Sequence, residues 1–85
     1  MRVPTIHLNG TGPETLLGEA RHALESVQTA AQAIREITVH GRDFYPQGND
    51  AIVDAMAARN SILQRLAMIE GELVAYALAV TDAAA

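Results

Sequence analysis

Histidine is the residue type in this chain best suited to acid–base or metal chemistry near neutral pH. His7, His22 and His40 are spread along the 85-residue sequence, and none has a second histidine at a spacing that would build a metal site. There is no cysteine, so a thiolate nucleophile is excluded. No serine or pair of carboxylates stands in a recognisable catalytic relation to a histidine. The sequence therefore predicts a non-enzymatic protein without metal, cofactor or small-molecule substrate.

The net charge of the chain limits the kinds of partner that it is expected to bind. Six arginines, no lysine and ten acidic residues give a formal net charge of -4, which argues against a broad surface for nucleic acid or acidic membrane. The most apolar window, 73–80, is too short to span a bilayer. The N-terminal stretch lacks the continuous apolar run of a signal peptide, so synthesis in the cytoplasm is expected. We expect the partners to be proteins.

The apolar periodicity predicts an all-α fold, an antiparallel two-helix hairpin of coiled-coil type with an extended N-terminal arm. Helices of about 28 residues would make this hairpin a rod about 42 Å long. The predicted boundaries are an arm over 1–10 and a hairpin over 11–85, with helices at 11–40 and 50–81 and a loop at 41–49.

The N-terminal arm alternates apolar and polar residues before a helix-start signal. Ile6 and Leu8 would lie on one face of an extended segment, which either folds back on the hairpin or docks on a partner chain. Thr11 and Glu14 have the spacing of a capping box, and Pro13 suits a first helical turn. Helix one is therefore predicted to begin here.

The first helix carries a seam of apolar residues three and four positions apart. Its alanines would let the second helix approach closely, which favours tight antiparallel packing. The seam residues are Leu17, Ala20, Leu24, Val27, Ala31 and Ile34.

The predicted loop contains two aromatic residues where polar ones would have sufficed. Gly41 is predicted to end helix one in a left-handed conformation, and Pro46 with Gly48 to turn the chain. Phe44 and Tyr45 either cover the open end of the hairpin or dock into another protein with Arg42 and Asp43. Both alternatives stay open at this point.

The second helix is too apolar for one partner helix to cover. Asn49 or Asp50 is expected to cap it. Its main stripe faces helix one and comprises Ile52, Met56, Ile62, Leu63, Leu66, Ile69, Leu73, Tyr76, Ala77 and Val80. A second line on another side consists of Ala67, Gly71, Val74 and Leu78. Such a helix is expected to be covered by the arm, by another copy or by a different protein, and the monomer should be marginally stable.

Two strings in the chain resemble a family of small proteins of tailed bacteriophages and prophages. They are His7-Leu8-Asn9-Gly10-Thr11 in the arm and Gly41-Arg42-Asp43-Phe44-Tyr45-Pro46-Gln47-Gly48 in the loop. The resemblance would cover most of the chain, and the strings carry no catalytic residue. It implies a virion protein associated with the capsid, portal or neck.

The sequence as a whole predicts a structural or accessory component of a phage virion, made in the host cytoplasm. It would bind larger virion proteins in multiple copies and associate with copies of itself. The alternative is a small regulator or adaptor that acts in solution as a homo-oligomer. The residues predicted to contact partners are Ile6, Leu8, Arg42, Asp43, Phe44, Tyr45, Val74 and Leu78.

Overall fold

A computed structural model describes all 85 residues, and every regular element in it is helical. Helix α1 spans Pro13–Arg35, the one-turn helix α2 spans Gly41–Phe44, and α3 spans Ala51–Ala84. A short 3-10 helix, Tyr45–Gln47, follows α2 directly. The all-α prediction is confirmed, with three α-helices in an elongated molecule of 63 × 16 × 16 Å.

The start of α1 is set by Gly12 and Pro13. Gly12 occupies the N-cap position in an extended conformation, and its carbonyl accepts from the Leu16 amide at 3.2 Å. Pro13 takes the first helical position, where its fixed φ suits the helix and its missing N–H is not needed. The predicted capping box of Thr11 and Glu14 is wrong, because Thr11 lies one residue before the N-cap and no side chain caps the helix.

Helix α1 ends at Arg35, five residues before the predicted end at 40. The three residues Ile37, Thr38 and Val39 are all β-branched, and such side chains lose rotamer freedom in a helix. An Arg59 Nη1 atom on α3 donates to the Ile37 carbonyl at 3.1 Å, which satisfies a backbone acceptor released by the helix end. The end of α1 is therefore stabilised from across the molecule.

The segment after α1 differs from the predicted loop. Gly41 does not end α1 in a left-handed conformation; it begins α2, and the one residue with positive φ is Gly48 at 108°. The His40 side chain caps α2, its Nδ1 accepting from the Arg42 amide at 3.2 Å. Asp50 is the N-cap residue of α3, but its side chain makes no capping hydrogen bond.

Helices α1 and α3 run in opposite directions along each other. Leu17 and Leu24 near the start of α1 share a groove with Leu73 and Ala77 near the end of α3. At the other end, the Ile37 carbonyl meets the Arg59 guanidinium. Both α2 and the 3-10 helix also contact α3. Helix α3 is thus the element against which α1, α2 and the 3-10 helix pack.

The fully shielded core is very small. Only Ala20, Ala31 and Val80 are buried, and Val80 has no exposed surface. The other seam residues of α1, Leu17, Leu24, Val27 and Ile34, are half-buried. Two small residues at the α1 seam agree with the expected close approach of the helices.

The two long helices are unequal, which the sequence periodicity did not predict. Helix α1 has 23 residues and α3 has 34, so α3 alone is about 51 Å long at 1.5 Å per residue. Its N-terminal part lies beside α2 and the 3-10 helix and not beside one continuous helix. The molecule is consequently longer than the predicted rod of two matched helices.

Replacement of Val80 by Ala is expected to lower the free energy of unfolding by about 2 kcal/mol, because it removes fully buried carbon atoms. Val53→Ala is the matched control, since Val53 lies in the same helix and is 61% exposed. Its effect should stay within about 0.5 kcal/mol. Chemical denaturation followed by circular dichroism measures both, and equal losses would contradict the assigned core.

Replacement of Arg59 by Met should remove the hydrogen bond to Ile37 and cost about 1 kcal/mol of unfolding free energy. Arg65→Met is the control, because the Arg65 Nε donates only to Ser61 of its own helix, at 3.3 Å. A denaturation series on both variants compares them. If Arg65→Met were the more destabilising, the contact across the molecule would not matter for stability.

Candidate partner-binding surfaces

The loop tip exposes two charged residues that were predicted to contact partners. Arg42 and Asp43 both lie in the single turn of α2, and both side chains are exposed. The turn is held by the His40 cap and by the Asp43 amide, which donates to the His40 carbonyl at 3.0 Å. A short hydrogen-bonded helix presents these side chains, where an irregular loop was expected.

The two aromatic residues of the loop have different environments. Phe44 closes α2 and is half-buried, whereas Tyr45 begins the 3-10 helix and is 78% exposed. Phe44 is therefore the partly covered aromatic residue of this segment, and Tyr45 presents its ring to solvent. Neither alternative from the sequence describes both residues. A large exposed aromatic side chain beside charged residues is typical of an interface anchor.

The N-terminal segment, residues 1–10, also contains both half-buried and exposed apolar side chains. Ile6 and Val3 are half-buried, whereas Leu8 is fully exposed at 101%. A turn explains the difference, since the Gly10 amide donates to the His7 carbonyl at 3.1 Å and reverses the chain after Ile6. The His7 imidazole lies so close to Gly10 that a Cβ there would stand 2.8 Å from Nε2. Leu8 therefore lies within this turn, and its side chain is exposed to solvent.

The outer side of α3 carries exposed apolar residues along its length. Val74 and Leu78 are 43% and 60% exposed, as expected for the second line of helix two. Ala67 and Gly71 of the same line are also exposed. Met56 and Ile69, which were predicted to face helix one, are exposed as well, at the same level as Val74. The large apolar side chains that α3 exposes are Val53, Met56, Met68, Ile69, Val74 and Leu78.

A groove between α1 and α3 was not predicted from the sequence. It has a volume of about 430 Å³ and opens beside the first half of α1 and the last third of α3. Its floor and walls combine leucines with small residues, which leave space where larger side chains would fill it. The lining residues are Glu14, Leu17, Gly18, Ala20, Arg21, Leu24, Leu73 and Ala77. The small residues at 18, 20 and 77 were the available sequence signal.

These surfaces do not converge on one site. The arm precedes α1 and the loop follows it, and α1 itself is about 34 Å long at 1.5 Å per residue. Leu8 and Tyr45 therefore lie towards opposite ends of the molecule. Val74 and Leu78 lie on the C-terminal part of α3, beside the groove-lining Leu73 and Ala77.

The three histidines lie in separate parts of the structure, His7 before α1, His22 within it and His40 at the start of α2. The structure contains no group of three or more His, Cys, Asp or Glu side chains that could hold a metal ion. His40 serves as a helix cap, and His22 accepts a hydrogen bond from Ser26 through its backbone carbonyl at 2.8 Å. None of its helices has the length and apolar character required to traverse a bilayer.

Comparisons with known proteins place no relative beside this chain. No protein-family model matches it, and searches of curated proteins and of solved structures found no match.

The separate environments of Phe44 and Tyr45 predict different effects of their removal. Phe44→Ala should lower the free energy of unfolding by about 1–2 kcal/mol, because a half-buried ring is lost. Tyr45→Ala should change it by less than about 0.5 kcal/mol. Thermal unfolding of the two variants makes the comparison; a larger loss for Tyr45→Ala would mean that Tyr45 is the covering residue.

Proposed function

We propose that this chain is a non-enzymatic structural or accessory component of a bacteriophage virion, associated with the capsid, portal or neck. In this proposal it binds larger virion proteins in multiple copies. The support for a phage origin is the resemblance of its arm and loop strings, 7–11 and 41–48, to small tailed-phage proteins. The support for a binding role is structural and is independent of that resemblance.

The observation that carries the binding role is the imbalance between buried and exposed apolar surface. Three residues are buried, none of them larger than valine, while ten large apolar side chains are exposed. Scattered exposed apolar residues are ordinary, but here several follow one side of a single long helix. A chain that covers so little of its own apolar surface is suited to assembly with other subunits.

In the proposed assembly, α1 and α3 act as the two limbs of an antiparallel, coiled-coil-like hairpin and residues 1–10 as its extended arm. The hairpin would present contacts at both ends, Ile6 and Leu8 on the arm and Arg42, Asp43, Phe44 and Tyr45 at the loop. An elongated unit 63 Å long with contacts at separate ends can bridge neighbouring subunits. Bridging is a role for which no catalytic group is needed.

A second candidate is a soluble regulator or adaptor that works as a homo-oligomer. The observation that favours it is the exposed line of Ala67, Gly71, Val74 and Leu78 on α3. These residues are spaced four, three and four apart, the spacing that allows a helix to pair with another helix. Two small residues in the line would let that helix approach closely.

The two candidates differ in where the protein is found and in what number. A virion component should remain in gradient-purified particles at a copy number that matches a symmetric ring or shell. Quantitative mass spectrometry of particles from the host that carries this gene measures that number. A regulator should be recovered from the soluble lysate and not from the particles, and that result would sink the virion proposal.

A loop variant tests whether Tyr45 makes the particle contact. Tyr45→Ala should reduce incorporation by about tenfold, because an exposed aromatic anchor is worth about 1.4 kcal/mol or more at an interface. Arg65→Met provides the control, since Arg65 is on α3 and outside the predicted contact residues. Equal incorporation of both variants would move the contact away from the loop.

A further inference from the structure

The negative charge of the chain is concentrated in one half of the molecule. Because α1 and α3 are antiparallel, residues 13–28 lie alongside the C-terminal half of α3, from about residue 69 onwards. Residues 13–28 and 69–85, the acidic half, hold six of the ten acidic residues and one of the six arginines, Arg21, and the arm next to them adds Arg2 and no acidic residue. Its acidic residues are Glu14, Glu19, Glu25, Glu70, Glu72 and Asp82. Residues 29–68 hold four arginines and four acidic residues, so the other half is balanced.

The acidic half also holds the groove, and exposed apolar residues adjoin it. Leu73 and Ala77 line the groove, and each is followed directly by an exposed apolar residue, Val74 and Leu78. One residue further along a helix is about 100° further round its axis. The apolar surface therefore continues from the groove onto the outer side of α3.

The backbone is accessible along this surface. A Cβ added at Gly18, which lines the groove, or at Gly71, which lies on the outer side of α3, would meet nothing within 4 Å. A neighbouring backbone can therefore approach closely at both positions. The groove volume of about 430 Å³ lies in the range of pockets that accept several apolar groups.

We propose that the groove and the adjoining Val74 and Leu78 surface bind one amphipathic helix of a partner protein, with apolar side chains on one face and Arg or Lys flanking them. Leucine-lined grooves between helices accept such faces as a third helix. Glu14 at the groove edge, together with Glu70 and Glu72 on the C-terminal half of α3, would attract the flanking cations. Arg21 is the one cation of the lining.

Charge decides between this partner and the other possible occupants. A second copy would bring either its own acidic half, which repels, or its balanced half, which offers no net attraction. The chain's own arm carries one arginine, Arg2, and already packs Val3 and Ile6 while Leu8 stays free. A basic helix from a different protein is the occupant that complements both the apolar groove and its charge. This proposal names the partner class for the binding role proposed above and rests on that role.

The test uses the full-length chain and a synthetic 20-residue amphipathic helix, with leucines on one face and arginines beside them. A control peptide keeps the leucine face and replaces the arginines with glutamates. Fluorescence anisotropy at low and high salt measures the Kd of each. We expect the basic peptide to bind at least tenfold more tightly than the acidic one, and this difference to shrink at high salt. Equal binding, or none, would overturn the proposal.

Matched variants locate the site. The double change Val74→Ala and Leu78→Ala should weaken binding of the basic peptide by about tenfold, without loss of helicity because both side chains are exposed. The control double change Val53→Ala and Met56→Ala removes exposed apolar side chains from the balanced half and should change the Kd by less than twofold. Glu70→Gln with Glu72→Gln should reduce the salt dependence, because it removes two of the six negative charges of the acidic half. A larger effect of the control change would place binding elsewhere and overturn the proposal.

Sedimentation of the chain without peptide tests whether a second copy of the chain occupies this surface. A dimer abolished by Val74→Ala with Leu78→Ala would mean that a second copy fills the surface, and the proposal would be overturned. The outcome is also separable from the virion role. A chain present in purified particles that binds no basic peptide would leave the virion proposal standing and end this one. If the chain bound the basic peptide but were absent from purified particles, the virion proposal would fail and this proposal would stand.

Discussion

The packing of α1 along α3 is the contact on which the rest of the structure depends. Each helix of a pair can shield only one side of the other. Because the residues at this contact are small, few side chains are completely buried. Ala20, Ala31 and Val80 are the whole of the buried set. The arm, α2 and the 3-10 helix are short additions at the two ends, and none of them covers the outer side of α3.

This geometry connects stability with function. Stability at this size depends on how much apolar surface leaves water, and an elongated helix pair leaves much of it accessible. The same exposed side chains that do nothing for the isolated chain can stabilise it through a partner, because anything that binds the folded form favours folding. Assembly is thus proposed both as the function and as a source of stability.

The sequence predicted the larger features correctly where a pattern had one physical outcome. The seam from Leu17 to Ile34 has helical spacing throughout, and its members are the shielded residues of α1. The line of Ala67, Gly71, Val74 and Leu78 lies on an exposed side, as its spacing predicted.

The predicted ends of α1 were wrong because, at each end, two local sequence signals favoured different helix boundaries. At the start of α1, the proline preference for the first helical position prevailed over the capping box of Thr11 and Glu14. At its end, the β-branched run 37–39 ended the helix before Gly41 was reached.

By itself, the amino-acid sequence determined the helical class and the apolar excess of α3, because these depend on residue type and spacing alone. Three other features were decided only by the tertiary structure. Arg59 reaches the Ile37 carbonyl across the molecule. Phe44 is partly covered while Tyr45 is exposed, and small residues from two helices leave a groove between them. Each of these depends on the distance between residues far apart in the chain, and that distance is set by how α1 and α3 pack.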